Sequence, residues 1–543
     1  MYNVFWISVI ALFVSVVISY FFISHCGHSV HSVLDCSKAV TMANNGILLI
    51  SNAAKAHKFC SKVSNHVKKI LYISYNEGTD CALKVLNKQN VDIYSKTTDY
   101  SNLDVRLILK PRGSFNKIKT NHPIDLILYD TDAFKKGDNL ANLIENGNKD
   151  IEQVPIAHLD SHNPDISNEE PVKTFEYVAL GGTFDRLHNG HKILLSQAVL
   201  RATKHVTVGV TDVNMIKSKI LWELIEPVER RIANVLEFLT DINPDLEYHV
   251  LPIQDLYGPT KDDPRYQLIV VSEETQRGAV KINEKRKENG LNPLETYTIS
   301  LAADQKRSPI EEDKVSSSNQ RIRLLGTLLR EPKPNPDIPK WPYVIGIAGG
   351  IASGKSSITE KLKKKGATVI NCDLLAHELY KPGLPLNRTI SATFGADVIT
   401  ERGEVDRQRL GQIVFGDKAQ LERLNSITWP AIAEEVVARV RRAGEGGARV
   451  VVLEAAVMVR AGWHRLCHQL WAVIVPPEEA IKRIQQRNNL TEEQARQRVE
   501  AQPANSEHVA EAHVVFSPYW SYEFTQDQVD RAWEQLADIL KRH

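Results

Sequence analysis

Gly181 to His191 reads GGTFDRLHNGH. Phe175–Leu180 (FEYVAL) ahead of it is an apolar run of strand type, and Lys192–Arg201 behind it sets Ile193, Leu194, Ala198 and Leu200 at helical spacing. A strand therefore runs into a Gly181–Gly182 turn, a polar loop follows, and a helix opens at the HxGH. Glycines let a backbone approach a phosphate closely, and the amides of a helix start favour anions. His188 and His191 lie three apart, so both can face one bound phosphate.

Outward from this stretch the same alternation continues. His205–Asp212 (HVTVGVTD), Tyr248–Pro252, Leu268–Val271 and Thr296–Leu301 read as further strands, Glu226–Leu239 as a helix, and Ser316–Ser318 as the start of a helix reaching Leu329. The pattern predicts a doubly wound parallel sheet over residues 174–330. Ligands of such sheets bind at the carboxyl ends of the strands, which is where Lys217, Lys219 and Arg277 fall. Taken singly, the lysines read as solvated surface groups, Arg277 as a helix-start salt bridge, and Ser316–Ser318 as helix caps. In this order on one sheet edge they form a phosphate site, because phosphoryl chemistry needs many cationic and N–H contacts on spread negative charge.

The strand–GGTFDxxHxGH–helix arrangement resembles the nucleotidyltransferase superfamily, whose members attack the α-phosphate of a nucleoside triphosphate and release pyrophosphate. VSEETQRG (271–278) and EEDKVSSS (311–318) make the resemblance one to phosphopantetheine adenylyltransferase of the eukaryotic type. The resemblance implies that Thr183 and His191 hold the attacked phosphate with His188 beside it, in a loop that includes Gly181, Gly182 and Phe184. It also implies phosphate contacts from Arg277 and from one lysine of the KSK stretch, Lys219 in preference to Lys217, with Ser317 and Ser318 against the triphosphate. The phosphate of 4′-phosphopantetheine would attack ATP directly, without a covalent intermediate.

After a Pro-rich linker, Glu331–Pro342, the strand Tyr343–Ala348 (YVIGIA) leads into GGIASGKS. Gly349, Gly354, Lys355 and Ser356 fit GxxxxGK[ST], with Gly350, Ile351, Ala352 and Ser353 between them and a helix through Lys365. Such a loop cradles phosphates on its amides, with Lys355 reaching the β and γ oxygens and Ser356 meeting Mg²⁺. Ala367–Cys372 is a second strand ending at Asp373, which reads either as a general base for a hydroxyl attacking the γ-phosphate or as the cap of the following helix. GGIASGKS with VINCDLLAHELYKPG, FGADVI, the LEAAVM strand end near Glu454 and RIQQRNNLTEEQARQRV resembles dephospho-CoA kinase, in which the aspartate at this place activates the ribose 3′-hydroxyl. Arg487 and Arg498 are then clamps on ATP, though surface i,i+4 pairing explains them nearly as well. Trp429 and the AQPANSEHVAEAH stretch depart from the bacterial pattern of that family.

The remaining third is less informative about chemistry. The 543 residues carry a net charge of +1, so no overall field points to nucleic acid. The six cysteines (Cys26, Cys36, Cys60, Cys81, Cys372, Cys467) show no CxxC and no ligand spacing, and read as reduced thiols. Residues 40–157 alternate short apolar strands (Ile47–Ile50, Ile70–Ser74, Val105–Leu109, Ile124–Tyr129) with helical stretches, which predicts a small α/β domain of four strands. His158, Asp160 and His162 could be drawn as metal ligands but sit in a Pro/Asn/Ser-rich linker. Val4 to Ile23 carries no charge over twenty residues, which makes residues 1–34 a membrane-anchor candidate. The lysines that follow would leave the bulk of the chain in the cytosol.

The expected fold class is therefore α/β. Two doubly wound parallel-sheet domains, an HxGH nucleotidyltransferase (174–330) and a P-loop kinase (343–543), follow a small N-terminal α/β domain (40–157) and a hydrophobic segment. The product of the first resembled family is the substrate of the second. Their succession resembles the fused enzymes of the last two steps of coenzyme A biosynthesis, with ATP, 4′-phosphopantetheine and dephospho-CoA as partners and Mg²⁺ as cofactor. That resemblance also implies the mitochondrial outer membrane facing the cytosol, or the cytoplasm, as location.

Overall fold

The computed structural model describes residues 42–51, 56–63, 65–75, 82–98, 103–109, 117–132, 134–156 and 172–542. The anchor candidate at residues 1–34 and the trio His158, Asp160 and His162 lie outside them. Among the described residues no helix is long and apolar enough to cross a membrane.

The strands form three five-stranded sheets. In the first, β1 (Ala43–Ile50), β2 (Val67–Tyr75), β3 (Asp104–Leu107), β4 (Ile124–Asp130) and β5 (Gly147–Ile156) pair in parallel in the order β3-β2-β1-β4-β5. Ile47–Ile50 and Leu126–Leu128 are buried, as strands covered on both faces require. The sheet has five strands where four were expected. β5 lies at the edge and alternates polar with half-buried residues (GNKDIEQVPI), so it lacks the apolar run that marks its neighbours.

The second sheet comprises β6 (Phe175–Gly182), β7 (Ala202–Thr211), β8 (Glu247–Ile253), β9 (Leu268–Ser272) and β10 (Glu295–Ile299), in the order β10-β9-β6-β7-β8. Read from its other edge, this is the same succession as in the first sheet. β6 stands where the strand order reverses, the place at which open α/β sheets hold ligands, and it ends in Gly181–Gly182. The third sheet comprises β11 (Tyr343–Ala348), β12 (Thr368–Asn371), β13 (Val450–Glu454), β14 (Gln469–Val473) and β15 (Val514–Phe516). Its order is β12-β13-β11-β14-β15, all parallel, with the wholly buried β11 central. Cys60, Cys372 and Cys467 are free and buried, and burial pushes the thiols of Cys60 and Cys372 up to about 12.

The described chain divides into two bodies. One holds the residues up to Gly182 with Asn189–Val210 and Ile232–Ala303; the other holds Thr183–His188, Thr211–Arg231 and the residues from Asp304 onward. Within the second body, the helix expected to reach Leu329 stops at Leu324. The chain then runs along β15: the Gly326 amide donates to Val515 O at 2.8 Å and the Leu329 amide to His513 O at 2.8 Å, with an antiparallel bridge between Leu328 and Val514. Gly326 makes the turn at φ +74°, and a Cβ there would stand 2.2 Å from Gln528 O. Gly326→Ala therefore combines a left-handed conformation with a clash against backbone. It is expected to lower stability by about 2–4 kcal/mol, read as a fall in the thermal unfolding midpoint.

Candidate active sites

Thr183–His188 leave β6 in a strained loop: Phe184 and Arg186 have φ of 51° and 49°, a region costly for residues with a Cβ. Buried groups from distant parts of the chain hold it there. Arg231, at 1% exposure, donates to Thr183 O at 2.7 Å, Thr211 O at 3.0 Å and Glu226 O at 2.8 Å. Asp185 is fully buried; it pairs with Arg321 at 2.7 Å and accepts from the Glu226 amide at 3.0 Å. Arg321 also donates to Ile220 O, which ties the KSK loop to the same point. A buried ion pair with these extra hydrogen bonds fixes geometry more than it adds stability.

Ser317 Oγ donates to Asp185 O at 2.9 Å and lies 3.4 Å from His188 Nε2, while the Thr211 hydroxyl donates to Thr183 Oγ1 at 3.2 Å. Ser316 is the residue that caps the helix Ser317–Leu324, accepting from the Asn319 amide. Ser317 and Ser318 follow on its first turn, and Ser318 Oγ lies 3.5 Å from Arg321. Lys219 is open to solvent, yet partial burial and then Arg321 push its ammonium below the usual lysine value, with Glu312 and Asp185 acting against them. It is thus the lysine of the pair that sits among these charges. In the other body, His191 lies on the first turn of the helix Asn189–Arg201, and Arg277 is exposed on the first turn of Gln276–Glu288, just beyond β9.

The kinase-type site follows from the register of the third sheet. Asn371 on β12, Glu454 on β13 and Ile347 on β11 are neighbours, so the residues after each come out on one edge. Gly349 (φ +150°) and Gly354 (φ +100°) leave no room for a side chain: a Cβ would stand 2.3 Å from Val473 O in the first and 2.7 Å from Pro518 Cγ in the second. Ala352 adopts φ 58° between them. Lys355 Nζ donates to Gly349 O and Gly350 O at 2.8 and 2.9 Å, and the Ile351 amide donates to Gln502 Oε1 at 2.6 Å. Ser353 is buried within the loop. Arg483 braces it from outside, donating to Ala352 O and Pro518 O.

Glu454 is buried and accepts from Ser356 Oγ at 2.7 Å and from Thr359 Oγ1 at 3.0 Å. A hydroxyl beside a carboxylate is the hard-oxygen pair that Mg²⁺ prefers, so the chemistry of Ser356 and Glu454 fits that ion. Asp373 is not the cap of its helix. Asn371 is, accepting from the Leu374 amide. Asp373 instead accepts from the Ala456 amide at 3.3 Å while keeping a side open to solvent. Burial of its inner side raises its pKa above the ordinary aspartate value, Glu454 adds to the rise, and the Ala456 amide and Lys355 oppose it. Arg487 is exposed but near enough to lower the Lys355 pKa slightly, whereas Arg498 is exposed on the helix Glu492–Glu500 with no ion-pair partner among the described residues.

A family model described as dephospho-CoA kinase matches residues 343–518. The dephospho-CoA kinase of Carboxydothermus hydrogenoformans is 37% identical over 186 residues, 34% of this chain and 90% of that protein. The chain belongs to the dephospho-CoA kinase family. Those of Geobacter sulfurreducens and Moorella thermoacetica are 35% and 37% identical over 96% and 92% of their lengths, taking 35% and 36% of this chain. A second model, described as cytidylyltransferase-like, matches residues 179–323. The two in one chain are consistent with a bifunctional coenzyme A synthase, a phosphopantetheine adenylyltransferase fused to a dephospho-CoA kinase.

Sequence reading missed Arg231, Asp185 and Arg321 as the frame of the HxGH loop, and Arg483 and Gln502 as supports of the kinase P-loop. Glu454 it met only as a point of resemblance. Its signal was a carboxylate closing a wholly apolar strand, VVVLE, that would lie beside the P-loop strand.

Proposed function

We propose that this chain catalyses the last two steps of coenzyme A biosynthesis. The first joins ATP and 4′-phosphopantetheine to give dephospho-CoA and pyrophosphate; the second converts ATP and dephospho-CoA to CoA and ADP. The observation that carries the reading is the kinase edge, where P-loop, Ser356–Glu454 and Asp373 converge in a member of the dephospho-CoA kinase family. The same chain carries, ahead of it, a buttressed HxGH loop whose expected product is that kinase's substrate.

In the adenylyl transfer, a phosphate oxygen of 4′-phosphopantetheine forms a bond to the ATP α-phosphorus as the bond to the pyrophosphate oxygen breaks. By the sequence resemblance, Thr183 and His188 are expected at the reacting phosphate and Lys219, Ser317 and Ser318 at the charge that leaves; His191 and Arg277, in the other body, are expected phosphate contacts on the same ground. In the phosphoryl transfer, Asp373 takes the proton of the ribose 3′-hydroxyl as that oxygen bonds to the γ-phosphorus and the bond from the γ-phosphorus to the β,γ-bridging oxygen breaks, releasing ADP. Lys355 and the P-loop amides hold the β and γ oxygens. Ser356 and Glu454 would hold Mg²⁺, which would supply charge neutralisation.

Full-length protein with ATP and Mg²⁺, given 4′-phosphopantetheine or dephospho-CoA in separate reactions with products resolved by mass, tests the reading. CoA formed through dephospho-CoA supports both halves, and no product from either substrate overturns them. The base assignment carries its own pH signature. Asp373 acts deprotonated and its pKa lies above the ordinary aspartate value, so the kinase rate should fall with acidification sooner than an unperturbed aspartate would allow. Asp373→Asn should remove that limb and lower kcat by about 10²–10⁴-fold, measured as the pH–rate profile with dephospho-CoA supplied.

A further inference from the structure

The N-terminal sheet carries no phosphate loop or catalytic cluster that the sequence marks, yet it is bonded to the HxGH helix at two chosen points. Asn189, the N of HNGH, donates through Nδ2 to Tyr94 O at 2.8 Å, at the end of the helix Ala82–Lys96. Lys192, the residue after His191, is 4% exposed, and its ammonium donates to Val105 O at 2.9 Å and pairs with the Asp104 carboxylate. Tyr94 is itself fixed, its hydroxyl accepting from the Leu107 amide on β3. Farther along the same helix, Gln197 donates to Asn87 O and Arg201 to Asn87 Oδ1.

The helix Val228–Ile242 is held as well. Arg106 on β3 bonds Asp104, Glu237 and Asp241, and Asp241 also accepts from Tyr72. His122, Glu237 and Asp241 stand close enough to suggest cation ligands, but the Arg106 guanidinium already meets both carboxylates. Burial works against the Asp104 carboxylate, and Lys192 and Arg106 together outweigh it, so its pKa lies below the usual range; burial also lowers the Lys192 pKa, with Asp104 acting to raise it.

A surface that serves only for adhesion is served best by apolar groups, because a buried ammonium is costly unless fully paired. Here the cost falls on the first turn of one helix. Residues 189 and 192 are three apart and share a face. Pinning both fixes the rotation of that turn, and with it the direction in which His191 points.

We infer that the N-terminal domain is a positioning element of the nucleotidyltransferase half, with Asp104 and Tyr94 O setting the first turn of the HxGH helix through Lys192 and Asn189. This rests on the adenylyl-transfer reading above. Displacing a phosphate-binding group by about 1 Å costs up to 10²-fold in rate, so the effect belongs in turnover.

Asp104→Ala in the full-length protein tests it, with Asp104→Asn, which keeps an acceptor for Lys192, as the conservative partner. Asp104→Ala should lower kcat for dephospho-CoA formation by roughly ten- to hundredfold. KM for ATP and the kinase rate on supplied dephospho-CoA should stay unchanged, and the amides of residues 189–193 should exchange faster. Asp104→Asn should recover part of the loss. Asp104→Ala with wild-type unfolding midpoint and wild-type kcat overturns the proposal. If Asp104→Ala unfolds, Asn189→Ala, which removes the bond to Tyr94 O, decides: lowered kcat at an unchanged midpoint supports it, and wild-type kcat overturns it. A wild-type protein that makes CoA from dephospho-CoA but makes no dephospho-CoA overturns the adenylyl-transfer reading, and this proposal with it.

Discussion

Lys355→Ala is expected to convert ATP and 4′-phosphopantetheine to dephospho-CoA and stop there. The ammonium lies over the P-loop, bonded to Gly349 O and Gly350 O, where an ATP phosphate would draw it outward. Burial lowers its pKa, and Asp373 and Glu454 act to raise it again, so two carboxylates at the same edge favour the charged form. Removing that charge takes away the ammonium contact to the β and γ oxygens. Loss of one such contact in a water-poor site costs about 10²–10³-fold in rate, roughly 3–4 kcal/mol. Products resolved by mass should show dephospho-CoA accumulating at the wild-type rate of the first step. CoA formed at the normal rate would sink the assignment of the P-loop.

His191→Ala should give the reverse result. His191 lies at the start of the helix Asn189–Arg201, where the positive end of the helix dipole would add to its own hydrogen bonding on a phosphate. Its removal should lower dephospho-CoA formation by about 10²–10³-fold while supplied dephospho-CoA is still phosphorylated at the wild-type rate. Because each variant keeps what the other lacks, mixing the two should restore CoA synthesis from 4′-phosphopantetheine. Unchanged dephospho-CoA formation by His191→Ala would remove His191 from the reaction.

Much of this was legible from local sequence. β6, β9 and β11 are apolar runs closed by glycine or polar turns, and the glycine spacing of 349–354 has few other physical meanings. What escaped reading depends on partners far apart in the chain. Arg231 looks like any helical arginine until it meets Thr183 O and Thr211 O, and Arg321 until it meets Asp185, 136 residues away. Asn371 and Asp373 are both reasonable caps in isolation, and the Ala456 amide decides between them only once β12 lies beside β13. β5 shows the same limit in a strand, since an edge position removes the hydrophobic pattern by which strands are recognised.

The pairing of residues 326–329 with β15 bears on how such a fusion could be taken apart. The Pro-rich stretch at 331–342 looks like the natural seam, and the family match begins only at residue 343. A gene split there would send Leu328 and its neighbours away with the upstream fragment. β15 would then present the carbonyls of His513 and Val515 along an open margin, the kind of edge that recruits foreign strands and leads to aggregation. The downstream fragment would keep every catalytic group and lose its selvedge. Fission that leaves two soluble proteins has to cut upstream of Gly326, inside what the motifs assign to the other enzyme.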